Sequence, residues 1–420
     1  LRLCTWNYYI IERNFTLKKS GFLALVAAIS CQLCAGILYM WGVFQPHVVK
    51  YYGWDPAHVA MTSAFMIAIF VTGTILSGLV QEKIHPRVVA TAGAILFCLG
   101  FYLTSILTSK HYWLIYITYS GFSGLGCGLV FSTVLSVVQK WYAARVGMAT
   151  GLCVGSFGLA TVIFTPIAES LLSSGGVPYA FRTLSIIFFL ITMIACFFIK
   201  NPSKEYYYSE LTKVVPPEHI KQFKPGQMLK SPSYYYIFTA LFTSSAAYFI
   251  IIPFIKTIAM ARGMSTTLAL AAIMFSGVAN ASGRLLAPSV SDKIGRTTTI
   301  ITCTLISAFA TILMIYATGL WYIAAVFFIA FSYGGISGVN PVISTELFGA
   351  RYSGANYGLV MIGIAASSII FSKLSLIINA NGIETGDFTS SLILATILCA
   401  VPIIMMILLK RRVKSFGKNI

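Results

Sequence analysis

The sequence predicts an all-α membrane protein of twelve spanning helices, arranged as two pseudo-symmetric six-helix halves. Three observations carry that expectation. Only 10% of the 420 residues are charged and 58% are hydrophobic, whereas a soluble domain carries about 25% charged residues. The apolar residues gather in runs of about 20, the length that crosses roughly 30 Å of hydrocarbon. Acid-base motifs also recur across the chain, with Glu82 and Asp292 lying 210 residues apart.

The spans are placed at 20–44, 57–81, 88–107, 113–139, 146–171, 180–199, 233–256, 266–290, 297–317, 321–343, 353–377 and 389–409. Gly53-Trp54-Asp55-Pro56 supplies a capping carboxylate and a first-turn proline before the second span. Ser231-Pro232 does the same before the seventh. Helices satisfy their own backbone groups in lipid, and the alternating ten-residue strands of a β-barrel are not seen. The polar stretch 200–232 divides the chain into an N-terminal half, 1–199, and a C-terminal half, 233–420.

The charge balance gives the orientation. Lys and Arg number 29 against 11 Asp and Glu, a net +18 that by itself suggests a nucleic-acid partner. With a cytoplasmic N-terminus, 22 basic residues fall in inner loops and tails, five fall outside, and Arg284 and Lys373 lie within spans. That bias predicts a multi-pass plasma (inner) membrane protein with both termini cytoplasmic. A basic skin beside anionic lipid accounts for the charge, so the partner is the bilayer and not nucleic acid. The first span reads as an uncleaved anchor, since the residues before it lack a signal-peptide pattern; the chain does not begin with Met. Eight of the nine cysteines fall in spans, and the Cys31-x-x-Cys34 spacing reads as packing, not redox or metal chemistry.

Two repeats mark the halves. Gly78-Leu-Val-Gln-Glu82-Lys83-Ile-His-Pro86-Arg87 follows the second span, and Pro288-Ser-Val-Ser-Asp292-Lys293-Ile-Gly295-Arg296 follows the eighth. Gly147-x-x-x-Gly151 opens the fifth span and Gly354-x-x-x-Gly358 the eleventh. Duplicated halves about a central loop are the layout of transporters that alternate access. With these residues the chain resembles the major facilitator superfamily, whose loop signature is matched well by the second copy and in degraded form by the first. Glu82, Lys83, Arg87, Asp292, Lys293 and Arg296 are the expected conformational latches, joining helix ends that part when the halves rock.

A central site needs the few polar groups that tolerate burial mid-membrane. Arg284 stands alone in an apolar run, at an insertion cost of about 2.5–3.5 kcal/mol. No carboxylate lies in a span at its depth, since Glu169 is near the outer end of the fifth helix. A fork-shaped, permanent cation of this kind suits a carboxylate ligand. Asn280 is one turn away on the same face, able to orient the anion. Tyr39-Met40-Trp41, Phe131, Phe157 and Tyr333 are candidate cavity walls by placement, and each alone reads equally as a lipid-facing or packing residue. Glu169 is open to two readings, an outer gate or proton site and a plain interfacial residue. Lys373 reads as an interfacial residue near the outer end of its span. All five histidines fall in loops or at helix ends, so no midplane histidine relay is visible.

Within the superfamily the chain is similar to the oxalate:formate antiporters and bacterial monocarboxylate transporters over nearly its whole length. The likeness rests on Tyr39-Met-Trp41-Gly-Val-Phe44, Trp141-Tyr-Ala-Ala-Arg145-x-Gly147, Gly226-Gln-Met-Leu-Lys-Ser-Pro232, Ser291-Asp-Lys-Ile-Gly-Arg296 and Glu346-Leu-Phe-Gly-Ala-Arg351-Tyr-Ser-Gly-Ala-Asn356-Tyr-Gly358. It implies that Arg284 binds substrate carboxylate inside an aromatic box of Tyr39, Phe131, Phe157 and Tyr333. Two departures refine this. Oxalate carriers place a lysine in the eleventh helix where this chain has Ile364, and Lys373 lies nine residues further on, about 13 Å along the axis. Proton-linked animal relatives carry aspartate at the position of Asn280. One cation implies a small organic monocarboxylate such as lactate, pyruvate or formate, moved by exchange or proton symport. The alternatives are an oxalate:formate-type dicarboxylate antiporter and a carboxylate-binding sensor that transports nothing. The expected protein is a monomer without metal or cofactor, and not an enzyme.

Overall fold

A computed structural model describes residues 2–213, 222–251, 254–378 and 387–414. Among these the secondary structure is helical throughout. The first span is α1 (Arg2–Ala35), a tight 3-10 turn (Gly36–Met40) and α2 (Trp41–Tyr52). Then follow α3 (Pro56–Val80), α4 (Pro86–Ser105), a π-helical stretch (Tyr116–Ser123) running into α5 (Gly124–Trp141), and α6 (Val146–Cys196).

Eleven helical segments among the described residues are long and apolar enough to span a membrane. One of them, Ala143–Cys196, has 54 residues and holds two spans. Gly176 divides it with φ +74°, a conformation an L side chain resists, and Pro178 follows. Counted so, the spans are twelve. Helix runs up to Gly176 and resumes after it, so the expected 171–180 connection narrows to a kink at that glycine.

The central segment contributes short helices α7 (Lys204–Leu211) and α8 (Pro225–Met228). The seventh span differs from the single helix expected over 233–256. It comprises α9 (Pro232–Ser244), α10 (Ala246–Ile251) and α11 (Ile255–Ala261). Its Thr243-Ser244-Ser245 hydroxyls turn back onto main-chain carbonyls of Thr239 and Leu241, interrupting a smooth apolar rod. The remaining spans are α12 (Thr266–Ile294), α13 (Arg296–Tyr316), α14 (Gly319–Phe348), α15 (Ser353–Ile378), and α16 (Thr389–Leu398) with α17 (Ala400–Lys414).

The first six spans pack on one another chiefly through α1, α4, α5 and α6, the last six through α12, α13, α14 and the pair α9–α17. Two seams join the sets, α6 against α12 and α3 against α15. Small residues make the seams close. A Cβ on Gly78 would strike the main chain of Ala355, and one on Gly147 would strike the Pro288 carbonyl and the Asp292 carboxylate. Backbones in contact gain dispersion energy that lipid cannot match.

Candidate substrate site

Arg284 is placed by α12, and its side chain is only 4% exposed. Its Nε donates to Asn280 Oδ1 at 2.8 Å, a bond available because the two residues stand one helical turn apart. Its Nη2 donates to Tyr39 Oη at 2.9 Å, from the first span. Asn280 Nδ2 in turn donates to Tyr248 Oη at 3.2 Å. The guanidinium also lies over two rings, 5.3 Å from the centroid of Tyr39 and 5.7 Å from that of Tyr333. Those faces stabilise a desolvated cation electrostatically.

No carboxylate among the described residues lies within ion-pair distance of Arg284. Neutral oxygens and ring faces hold the cation, and they do not cancel its charge. Only two of its five N–H groups have protein acceptors among the described residues. Such a group has both charge and donors left for an anion.

The aromatic wall is continuous. Tyr39 meets Phe157 edge-on at 5.6 Å, and Phe157 meets Phe131 at 5.1 Å. Tyr248 stacks on Tyr333 with centroids 4.0 Å apart. Phe131, Phe157 and Tyr333 are buried, while Tyr39 is 36% exposed although it sits within a span.

All six residues expected at the site thus share one neighbourhood. Three further aromatics complete it: Tyr248 of α10, Tyr357 of α15, whose ring faces Phe131 at 6.5 Å, and Phe70 of α3, 5.3 Å from Phe131. Tyr357 belongs to the Asn356-Tyr-Gly358 run, a signal legible in the sequence. Nothing in the sequence separates Tyr248 or Phe70 from the many other aromatics. Glu169 is half exposed and lies 3.4 Å from His47, remote from Arg284 in its contacts. Lys373 is exposed, and Ile364 is buried in the core.

The latch residues behave differently in the two motif copies. Asp292 accepts from the main-chain N–H of Gly147 at 3.1 Å and of Met148 at 2.9 Å, capping the start of α6 across the seam. Arg296 lies 2.6 Å from both Asp292 and Glu346, and donates to Ser291 Oγ. Gly295 permits this fold-back with φ +90°, so that Arg296 opens α13 directly above Asp292. In the first copy His85 occupies the glycine position at φ −60°, and Pro86 occupies that of Arg296. Glu82, Lys83 and Arg87 are exposed and form no ion pair among the described residues. Lys293 is exposed as well. The structure therefore brings together Asp292 and Arg296, and leaves the other four latch candidates apart.

Cross-half hydrogen bonds among the described residues lie at the depth of Arg284 or toward this motif end. Gln139 donates to Pro341 O and accepts from Thr345, and Ser353 donates to Ser136. The motif end is shut.

Twelve spans in two sets of six with a buried polar centre between them are the layout of a membrane transporter. The chain belongs to the Major Facilitator Superfamily, whose family model matches residues 22–372. It is 25% identical to the Escherichia coli (strain K12) MFS-type transporter YhjX, over 84% of this chain and 87% of that one. The oxalate:formate antiporter of Oxalobacter formigenes is 24% identical, over 86% of this chain and 85% of its own. Monocarboxylate transporter 13 of Rattus norvegicus is 26% identical over 43% of this chain and 42% of its own. Among solved structures, FucP in the outward conformation superposes with TM-score 0.70 at 14% identity, covering 93% of this chain and 99% of that chain. The proton:xylose symporter XylE superposes with TM-score 0.72 at 15% identity, covering 93% and 95%. These structures share the fold.

Proposed function

We propose that the protein carries small organic monocarboxylates, of lactate, pyruvate or formate type, across the membrane by alternating access. One observation carries the reading: a buried guanidinium held only by neutral groups, with donors to spare. A carboxylate entering between the halves would take a two-pronged bond from Arg284, while the rings of Tyr39, Phe157 and Tyr333 enclose the carbon end. Asn280 fixes the fork by holding Nε, and Tyr248 fixes Asn280.

The relatives support the substrate class, since their names include an oxalate:formate antiporter and a monocarboxylate transporter. Ile364 in place of a second cation favours a single carboxylate over a dianion. Asn280 in place of an acid leaves Arg284 to be neutralised by substrate, which favours exchange of anions over crossing empty. The basic motif face is read as cytoplasmic, so the shut motif end closes the site to the inside.

The test is uptake into proteoliposomes from a panel of labelled carboxylates, with wild type beside Arg284→Ala and Arg284→Lys. Both variants should lose saturable uptake, because lysine supplies the charge without the fork. Undiminished transport in both would sink the clamp. Oxalate counterflow at rates matching formate would favour the dicarboxylate antiporter instead, and substrate binding without flux would identify a sensor.

A further inference from the structure

The motif face holds a second feature, unconnected with Arg284. A cavity of about 320 Å³ opens where the seventh, tenth and twelfth spans meet the central segment. That size suits a small ligand group, for which sites run from roughly 300 to 1,000 Å³. Lys230 and Arg412 supply two cations to its wall, and no carboxylate lines it. Ser231 and Ser233 add hydroxyls, and Ser233 is 8% exposed. Helix α9 starts here; its N-cap Ser231 makes no side-chain cap bond, although the Tyr234 N–H donates to the Ser231 carbonyl at 3.0 Å. The rest of the wall is apolar: Phe223, Pro232, Leu347 and Val413.

We infer that this cavity is a binding site for the headgroup of an anionic phospholipid. Position and chemistry point the same way. Lys230 precedes the seventh span and Arg412 ends the twelfth, so both stand at the boundary where phosphates of a leaflet lie. Cations and hydroxyls match a phosphate diester, which is a strong acceptor with a fixed charge. The apolar wall matches the glycerol and first acyl carbons. A free phosphate would leave that wall against water, whereas a lipid covers it.

Occupancy would bear on the latch. Phe223 N–H donates to the Phe348 carbonyl at 2.8 Å, and Phe223 and Phe348 both line the cavity. Glu346, two residues earlier on the same helix end, holds Arg296. A headgroup bridging Lys230 and Arg412 therefore ties the central segment to the end of the twelfth span, beside the helix end whose Glu346 holds Arg296. This site does not depend on which solute Arg284 takes.

The experiment uses the full chain purified in neutral detergent, titrated with dioleoyl phosphatidylglycerol or dioleoyl phosphatidylcholine, with melting temperature and lipid retention by native mass spectrometry as readouts. Phosphatidylglycerol should stabilise and be retained, and phosphatidylcholine should not. Lys230→Gln/Arg412→Gln should weaken apparent phosphatidylglycerol affinity about 25-fold, at about fivefold per cation near the surface. Lys204→Gln/Arg411→Gln, which removes the same charge from the same face outside the cavity, should retain it within about twofold in about 0.15 M salt, where charges that do not touch the headgroup are largely screened. The charge-conserving Lys230→Arg/Arg412→Lys pair should also bind, which separates loss of ligand from loss of fold. Equal losses in the cavity pair and the outside pair would show a diffuse surface field and overturn the site. Glycerol 3-phosphate competing as well as the lipid at equal concentration would overturn a lipid occupant in favour of a soluble phosphate.

Discussion

Tyr39 Oη accepts a 2.9 Å hydrogen bond from Arg284 Nη2, joining the first span to the eighth across the two halves. It is a direct cross-half bond at the candidate site. The same ring offers its face to the guanidinium at 5.3 Å. Tyr39 thus holds the cation in two separable ways, and it is partly exposed.

Tyr39→Phe removes the hydroxyl and keeps the ring. A hydrogen bond to a charged group contributes about 1.5–3 kcal/mol, part of which water at this partly exposed residue recovers, so KM should rise about fivefold. Tyr39→Ala removes the ring as well, and a desolvated cation–π contact adds about 2 kcal/mol, so uptake should fall by about 30-fold or more. Initial-rate uptake in proteoliposomes at matched protein content separates the two. Equal KM in wild type and the alanine variant would show that the ring contributes nothing to binding.

Asn280→Asp alters charge with almost no change of shape. The new carboxylate would lie where Oδ1 now accepts from Arg284 Nε, and the pair would be neutral. An incoming anion would then compete with the introduced carboxylate for the fork, and its binding would favour protonating that acid. At neutral pH the KM for carboxylates should rise at least about tenfold. Uptake should recover as external pH falls, a dependence that wild type lacks for a fully ionised substrate. A flat pH profile in the variant, with wild-type KM, would remove Asn280 from the site.

The second motif copy should govern the motif end and the first should not. Asp292 caps two main-chain N–H groups of α6 and pairs with Arg296, so Asp292→Asn loses the charge term in both. At about 1–3 kcal/mol the equilibrium between closed and open motif end should shift by roughly 5–150-fold. Accessibility of a single cysteine in place of Ser353, which bonds Ser136 across the seam, reads that shift. Glu82→Gln should leave the labelling rate within about twofold, since Glu82 is exposed. A matching response to both variants would show that simple face charge sets the equilibrium.

How much of this is legible in the sequence depends on how rare each signal is. Arg284 is legible because a charge in a long apolar run is costly, and Asn280 follows from helical spacing. The spans are legible from hydropathy, although the Gly176 break reads there as a longer connection. Tyr248 is hidden because Tyr is abundant here, and because α10 is a short helix separate from α9. Glu346 reads only as an inner-face acid. Its bond to Arg296 depends on Gly295 turning α13 back over α12, which brings residues 50 positions apart together. The latch asymmetry is half visible, since His85 and Pro86 stand in the sequence where Gly295 and Arg296 stand. What they do to the turn requires the backbone angles.

The seams themselves can be tested by volume alone. Gly147 lies where α6 meets α12, and an added methyl would run into the Pro288 carbonyl and the Asp292 carboxylate. Gly78 lies where α3 meets α15, against the main chain of Ala355. Backbone cannot yield as a flexible side chain can, so each alanine must push its seam apart. Both contacts belong to the shut motif end, and under the proposed rocking of the halves they would loosen, so the strain would fall on one state only. Gly78→Ala and Gly147→Ala should therefore favour the motif-open state, by about 1–3 kcal/mol each as overpacking usually costs. The same cysteine accessibility reports it, with Gly42→Ala, which meets nothing within 4 Å, as the neutral comparison. Because the two seams are separate, their effects should add in the double variant. If either alanine lowered melting temperature without changing accessibility, that glycine would be serving helix packing in both states, and the seam would not be the moving joint.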